Sequence, residues 1–203
     1  MPDWVVHIVD DEEPARNALA FLLAVHGFTV RTHVSGEAFL DMAPSVLRGC
    51  LLTDLRMPEL DGIALLRRLR LMGVRIPVIV MTGHGDVPRA VTAMKAGAFD
   101  FIEKPFEDQI LLRSLREAAE AGNSGCDGDI AIIDRKLALL TAREREVLSH
   151  LVAGLPNKAI GHDLSISPRT VEVHRANIMA KMQARSLAEL VRMAVTAGVP
   201  AMA

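Results

Sequence analysis

Five residues with reactive or charged side chains stand at the ends of short apolar runs in the first half of the chain. They are Asp10 and Asp11 after the first run, Asp54 after the third, Thr82 at the end of the fourth and Lys104 two residues beyond the fifth. In an open parallel sheet the carboxyl ends of the strands share one edge, so we expect these side chains to meet there. Clustered carboxylates repel one another unless a cation lies among them, and a small set of oxygen ligands suits Mg²⁺. Mg²⁺ with a lysine and a hydroxyl beside it could bind phosphate oxygens, so the pattern predicts phosphoryl transfer.

The apolar runs are the predicted strands that would position these side chains. Each run is short and apolar, and helix-like segments separate them at intervals of roughly 25 residues. The runs span residues 4–9, 29–33, 49–53, 77–82 and 99–102. Strands that alternate with helices form a parallel sheet covered by helices on both faces. We therefore expect residues 1–121 to form an α/β domain with a doubly wound, five-stranded parallel sheet.

The second half of the chain has a different composition. Residues 122–129, GNSGCDGD, contain three glycines and no apolar periodicity, which is typical of a linker, and we place the linker at residues 122–136. From residue 130 onward four helical segments follow, so residues 137–203 are predicted to form an all-α domain. Lys and Arg number 13 against 17 Asp and Glu in residues 1–122, but 10 against 6 in residues 130–203. This charge difference predicts different partners for the two domains.

A two-helix unit with a short connection lies in the basic half. Thr141 followed by Glu144 is a capping-box pattern, and Gly154 is suited to end the helix that begins there. Pro156 can lie in the first turn of a short second helix. Ser167, as an N-cap, begins a further helix that runs to about residue 182. The pattern predicts a helix-turn-helix.

The last helix of this unit has one apolar face and one narrow face of small side chains. Val171, Ile178 and Met182 point toward the core, while Val173 and Ala176 point away from it. Small side chains allow a helix to enter the major groove of DNA, which is roughly 12 Å wide, and nearby Lys and Arg could neutralise phosphates. The predicted DNA contacts are Lys158, Ser167, Arg169, Thr170, Glu172, Val173, Arg175, Ala176, Asn177 and Lys181.

The strings HIVDDEEPAR, LLTDLRMPELDG, VIVMTGHGD and FDFIEKPF resemble, in order and spacing, the signatures of two-component response-regulator receiver domains. The resemblance implies that Asp54 is a phosphoacceptor that attacks the phosphohistidine of a sensor histidine kinase. It implies that Asp11, Asp54 and the Arg56 backbone carbonyl hold Mg²⁺, with Asp10 assisting through water. It also places Thr82 and Lys104 at the phosphoryl group and Phe101 behind Thr82 as a switch aromatic. It also implies a cis Lys104–Pro105 bond. Gly83 stands where many members of the family carry Ala.

The strings REREVL, GLPNKAIG and SPRTVEVH resemble the LuxR/NarL-type output domain. Glu172 departs from the Lys that is common at its position in that family. The two domains together resemble the FixJ subgroup of response regulators. That resemblance implies a FixL-like, oxygen-responsive sensor kinase as phosphodonor, double-stranded promoter DNA and RNA polymerase as partners, and activation of nitrogen-fixation genes.

The expected switch is a population shift caused by the charge that phosphorylation adds to Asp54. The surface formed by residues 87–96, the following strand and residues 107–121 would become the face of a homodimer. Arg89, Val91 and Lys95 are the candidates on that face. Alternatively, the two domains of the unphosphorylated chain pack together and hide the dimer or DNA surface, and phosphorylation releases the inhibited DNA-binding domain.

The composition of the chain bears on its location in the cell. The apolar runs are too short for a membrane helix, the start of the chain lacks a secretory pattern, and two cysteines form no disulfide framework, so we expect a cytoplasmic protein with no membrane partner.

A Mg²⁺-dependent aspartyl-phosphate hydrolase would need a second Asp two residues after its nucleophile, whereas Asp10 is followed by Asp11 and Glu12. We expect a regulator rather than an enzyme. The other alternative is a DNA-binding regulator whose receiver domain is vestigial.

Overall fold

The computed structural model describes residues 4–46, 48–83, 87–121 and 129–200. These residues fall into two compact units. The first contains a five-stranded sheet with four helices, and the second is formed by helices. Within the described ranges no helix is long and apolar enough to cross a membrane.

The sheet of the first unit is parallel throughout. Its strands are β1 (Val5–Val9), β2 (Thr29–His33), β3 (Gly49–Asp54), β4 (Val78–Thr82) and β5 (Asp100–Glu103). Their order across the sheet is β2-β1-β3-β4-β5, with the register Val5 to Gly49 and Asp54 to Met81. The central strands β1, β3 and β4 are almost wholly buried, as expected when helices cover both faces of a parallel sheet. The predicted α/β fold is confirmed, and each strand boundary lies within one residue of the prediction.

Helices connect the strands along the chain. They are α1 (Glu13–Val25), α2 (Gly36–Leu40), α3 (Gly62–Leu71), α4 (Val87–Lys95) and α5 (Asp108–Ala121), with a 3₁₀ turn at Ala43–Ser45. Ser35 and Asp61 begin α2 and α3 as N-caps, accepting hydrogen bonds from backbone N–H groups 3.2 and 2.7 Å away. One core packs the inward residues of α1 and α5 against β1, β3 and β4.

The second unit consists of α6 (Asp129–Ala138), α7 (Ala142–Ala153), α8 (Asn157–Asp163), α9 (Pro168–Met182) and α10 (Leu187–Thr196), and α4 is grouped with it. Thr141 and Glu144 form the predicted capping box at the start of α7, and Gly154 ends that helix at a φ of 87°. Ser167 is the N-cap of α9, as predicted, with its Oγ 3.0 Å from the Thr170 N–H. Val171, Ile178 and Met182 are fully buried in the core of this unit.

Two expectations for the second half need correction. Residues 129–136, which fall in the predicted linker, form most of α6, and Ile133 of that helix is buried in the core. The glycine-rich composition of residues 122–129 concealed the start of α6, because Asp129, the first residue of this helix, is also the last residue of that stretch. Pro156 is the N-cap of α8 rather than a residue of its first turn, because its backbone is extended, with a ψ of 156°.

Candidate functional site

Lys104 joins two carboxylates at the carboxyl edge of the sheet. Its Nζ lies 3.3 Å from Oδ2 of Asp10 and is also hydrogen-bonded to Oδ2 of Asp54. Asp10 follows β1, Asp54 ends β3 and Lys104 follows β5, so the strand order brings together residues that are 94 and 50 positions apart. Side-chain exposure is 1% for Asp10, 17% for Asp54 and 32% for Lys104. A buried carboxylate, a reachable carboxylate and an ammonium group therefore share one site.

Backbone groups hold both carboxylates in place. The Glu12 N–H donates to Oδ1 of Asp10 at 2.9 Å, and the Arg56 N–H donates to Oδ1 of Asp54 at 2.9 Å. In each case the turn after the strand supplies the donor. One oxygen of each carboxylate is thus held by the backbone, while the other faces Lys104.

The charges around Lys104 keep it protonated. Burial lowers the pKa of the ammonium group, but the hydrogen bond and the negative charge of Asp54, together with those of Asp10, outweigh it, and the net pKa is raised. A permanently charged amine beside a reachable carboxylate can stabilise further negative charge placed on that carboxylate.

Thr82 and Phe101 lie on the two neighbouring strands. Thr82 is 2% exposed, and its hydroxyl donates to the Gly83 carbonyl at 3.4 Å, a long hydrogen bond that the hydroxyl could exchange for one to a nearer acceptor. Phe101 is half-buried and stands opposite Val80 in the register of β5 with β4. A Cβ added at Gly83 would lie 2.3 Å from Nη2 of Arg56, so the Arg56 guanidinium occupies the space that an alanine methyl group would fill. The Lys104–Pro105 bond is cis, as the resemblance implied.

The metal ligands expected from the sequence meet only in part. Asp10 and Asp54 converge on Lys104, whereas Asp11 is exposed, and among the described residues no three Asp, Glu, His or Cys side chains gather into a metal site. Mg²⁺ binds through one or two carboxylates and keeps several waters. Asp54 and one carboxylate of the adjacent Asp10 and Asp11 therefore suffice for this ion.

In the second unit, α9 presents an exposed face of the predicted kind. The exposed predicted contacts are Ser167, Arg169, Glu172, Val173, Ala176 and Asn177 on or beside α9 and Lys158 on α8, while Thr170 is half-buried. Val173, which lies on this face, is 55% exposed. The face is narrow, because small or short side chains predominate at its centre.

Two predicted DNA contacts are instead engaged by neighbouring helices. Nζ of Lys181 lies 2.7 Å from Oε2 of Glu144, which is 4% exposed, and Nη1 of Arg175 lies 2.7 Å from Oδ1 of Asn157. The hydrogen bond from Lys181, and that from the Thr141 N–H, lower the pKa of Glu144. These bonds tie α9 to α7 and to the start of α8.

The predicted dimer residues on α4 differ in accessibility. Arg89 and Lys95 are exposed, but Val91 is 1% exposed. The dimer face to which we assign Arg89, Val91 and Lys95 belongs to the phosphorylated protein, so this assignment stays a prediction.

Buried charged residues that support the sites were missed at the level of sequence. Arg16 is 9% exposed, and its Nη1 donates to the Asp10 carbonyl at 2.8 Å. Arg16 lies three and seven residues before Leu19 and Leu23, the buried positions of α1, and Glu144 lies three and seven residues before Val147 and Leu151 on α7. A charge in the apolar stripe of an amphipathic helix was the available signal.

Comparison with known proteins agrees with these two units. Residues 6–116 match the response regulator receiver domain family, and residues 138–194 match the luxR family of bacterial regulatory proteins. The chain is 59% identical to the transcriptional regulatory protein FixJ of Rhizobium meliloti (strain 1021), with 98% of each chain covered. It is 47% identical to FixJ of Bradyrhizobium diazoefficiens, with 95% of each chain covered.

Solved structures give the same result. The crystal structure of FixJ-N is similar with a TM-score of 0.57 and 59% identity, covering 59% of this chain and 96% of that one. Full-length FixJ from B. japonicum is similar with a TM-score of 0.56 and 48% identity, covering 96% of this chain and 97% of that one. Sequence and fold therefore lead to one conclusion: the chain belongs to the FixJ subgroup of response regulators, transcriptional regulators in which a receiver domain precedes a luxR-family DNA-binding domain.

Proposed function

We propose that Asp54 accepts a phosphoryl group and that this modification activates DNA binding by α9. The observation that carries the proposal is the position of Asp54, reachable at 17% exposure and bonded to the same ammonium group as the buried Asp10. An oxygen of the Asp54 carboxylate attacks the phosphorus of a phosphohistidine on a sensor histidine kinase. The P–N bond breaks, its electrons remain on the histidine, which then takes up a proton, and an aspartyl phosphate results.

Mg²⁺ is the proposed cofactor of this transfer, as receiver domains in general use this ion. Asp11, Asp54 and the Arg56 carbonyl would hold it, and Asp10 would assist through water. The ion supplies positive charge that offsets the repulsion between the phosphoryl oxygens and the carboxylates. Lys104 contributes a second positive charge, and Glu12 and Arg56 keep the carboxylates oriented through their N–H groups.

Thr82 and Phe101 would transmit the change. The Thr82 hydroxyl gives up its 3.4 Å bond to Gly83 for a phosphoryl oxygen, and the half-buried Phe101 ring moves inward on the neighbouring strand. Lys104 moves from the bare Asp54 carboxylate to the phosphoryl group. These changes bias the receiver toward a state that forms a homodimer, with Arg89, Val91 and Lys95 on the dimer face.

The output is binding to double-stranded promoter DNA. The centre of α9 enters the major groove, with Glu172, Val173 and Asn177 near base edges and Arg169 and Lys158 near phosphates. A dimer reads two related half-sites. The names of the similar FixJ proteins suggest nitrogen-fixation genes as targets. From the resemblance to the FixJ subgroup we also propose a FixL-like sensor kinase as donor, RNA polymerase as partner and the cytoplasm as location. We place the receiver domain at residues 1–121 and begin the DNA-binding unit at Asp129.

The phosphoacceptor is tested with the full chain and a small phosphodonor. Incubation with acetyl phosphate and Mg²⁺ should raise the intact mass by one phosphoryl group in the wild type and not in Asp54→Asn. Beryllofluoride with Mg²⁺ stands in for the phosphoryl group, and light scattering should then show a monomer become a dimer in the wild type only. Phosphorylation of Asp54→Asn to the wild-type extent would refute the assignment. A wild type that binds beryllofluoride but stays monomeric would instead favour release of an inhibited DNA-binding domain.

A further inference from the structure

Arg175 stands on the inward side of α9. Successive residues of an α-helix are rotated by about 100°, so Arg175 lies about 40° from the buried Val171. By the same geometry it lies about 140° from Ala180, at the centre of the exposed face that would enter the groove. Arg169, also on α9, lies about 20° from that centre and is exposed. The two arginines of the helix therefore lie about 120° apart, Arg175 toward the core and Arg169 on the exposed face.

The contact made by Arg175 fits this inward position. Its Nη1 donates to Oδ1 of Asn157, the first residue of α8, at 2.7 Å. Both side chains are half-buried. Burial lowers the pKa of the Arg175 guanidinium, although the charge of Glu172 partly offsets it. The bond joins the second turn of α9 to the start of the preceding helix, across the turn that connects them.

We infer that Arg175 is a positioning residue that sets the angle of α9 against α8 through Asn157, and that it does not neutralise a DNA phosphate. The inference rests on the proposed binding of DNA by α9. Arginine at this position is suited to the task because its planar guanidinium can hold an amide oxygen in a fixed direction while its stem packs among apolar side chains. Loss of the bond leaves the charges on the exposed face unchanged and alters the direction in which α9 presents them.

The dependence of DNA affinity on salt separates the two roles. The logarithm of the association constant falls as the logarithm of the salt concentration rises. Each phosphate that a basic side chain neutralises makes this fall steeper by about 0.9. The assay is fluorescence anisotropy of a labelled duplex of mixed sequence, titrated with the full-length chain in beryllofluoride and Mg²⁺ at a series of KCl concentrations. We expect Arg175→Gln to lower the association constant by roughly tenfold and leave the slope unchanged. In the matched variant Arg169→Gln the slope should be less steep by about 0.9.

A second variant keeps the test decisive if Arg175→Gln fails to fold. Asn157→Ala leaves the arginine in place and removes only its acceptor. A positioning role predicts that Asn157→Ala weakens binding as much as Arg175→Gln, again with an unchanged slope, and that the double variant loses no more than either single one. A phosphate contact predicts that Asn157→Ala leaves the affinity unchanged. Melting curves confirm that each variant compared is folded.

Two results would overturn the inference. One is a salt dependence that is less steep by about 0.9 in Arg175→Gln than in the wild type. The other is a DNA affinity that neither Arg175→Gln nor Asn157→Ala changes. A wild type that does not bind the duplex at any salt concentration would contradict the proposed function itself, so the wild-type titration is read first. If the wild type binds the duplex and its affinity falls with salt, the comparison with the variants reports on the role of Arg175 alone.

Discussion

Acidification should destabilise the sheet-containing unit through a buried histidine pair. His7 on β1 is 2% exposed, and its Nδ1 lies 3.1 Å from Nε2 of His33 on β2. The two rings stack with their centroids 5.3 Å apart, and Phe39 closes the cluster. Burial, followed by the charges of His33 and Arg31, lowers the pKa of His7 from 6.5 to about 4. The pKa of His33 is lowered as well, mainly by burial.

The sign and size of the effect follow from proton linkage. The unfolded chain binds a proton at His7 below pH 6.5, but the folded chain resists it until about pH 4, so stability is lost as the pH falls between these values. These two pKa values give a loss of about 1.8 kcal/mol between pH 7 and pH 5 from His7 alone. The full loss, reached below pH 4, is about 3 kcal/mol.

Urea unfolding followed by tryptophan fluorescence measures this loss. The chain has one tryptophan, Trp4, which packs against the core of the sheet, so the signal reports on the first unit. We expect His7→Gln to lose about 1.8 kcal/mol less than the wild type between pH 7 and pH 5. His26→Gln, at an exposed position just after α1, is the matched control and should behave as the wild type. An equal loss in His7→Gln and the wild type would refute the reasoning.

Three further substitutions test the contacts that hold the sites. Lys104→Met leaves Asp10 and Asp54 without their shared cation, so stability should fall by about 1 kcal/mol and Mg²⁺ should raise the melting temperature more than in the wild type; an equal Mg²⁺ effect would contradict this. Glu144→Gln removes the buried partner of Lys181 and should cost about 2 kcal/mol at pH 7, whereas the surface variant Glu146→Gln should cost under about 0.5. Because the hydrogen bond from Lys181 lowers the pKa of Glu144, this carboxylate stabilises the folded protein above pH 4.5, the ordinary pKa of Glu. The stabilisation is lost as the pH falls through the lowered pKa, so the unfolding free energies of the wild type and Glu144→Gln should converge in acid. Arg70→Met removes hydrogen bonds to the carbonyls that follow α3 and precede β5 and should cost about 2 kcal/mol in urea unfolding; a cost under about 0.5 would show that these bonds stabilise nothing.

The strands could be predicted from sequence because short apolar runs bounded by turn residues have few alternatives. Residues 29–33 were predicted without error although β2 is largely exposed, since β-branched residues lie between two turn patterns. The meeting of Asp10, Asp54 and Lys104 also followed, because any parallel sheet places the ends of its strands together. These features depend on local pattern and on topology alone.

Contacts between side chains could not be predicted in the same way. Arg175 is predicted from the sequence as a DNA contact, whereas its hydrogen bond to Asn157 depends on how α8 crosses α9. Asp11 adjoins Asp10 in sequence, yet the backbone turns after β1 so that Asp10 is buried and Asp11 is exposed.

The central claim is that the state of Asp54 controls DNA binding by α9. It is tested most directly by the affinity of the full chain for promoter DNA, with and without beryllofluoride and Mg²⁺, in the wild type and in Asp54→Asn. We predict that beryllofluoride raises the affinity of the wild type at least tenfold, on the order of 1.4 kcal/mol, and leaves that of Asp54→Asn unchanged. Equal affinities in all four samples would contradict the account and would identify the receiver domain as vestigial.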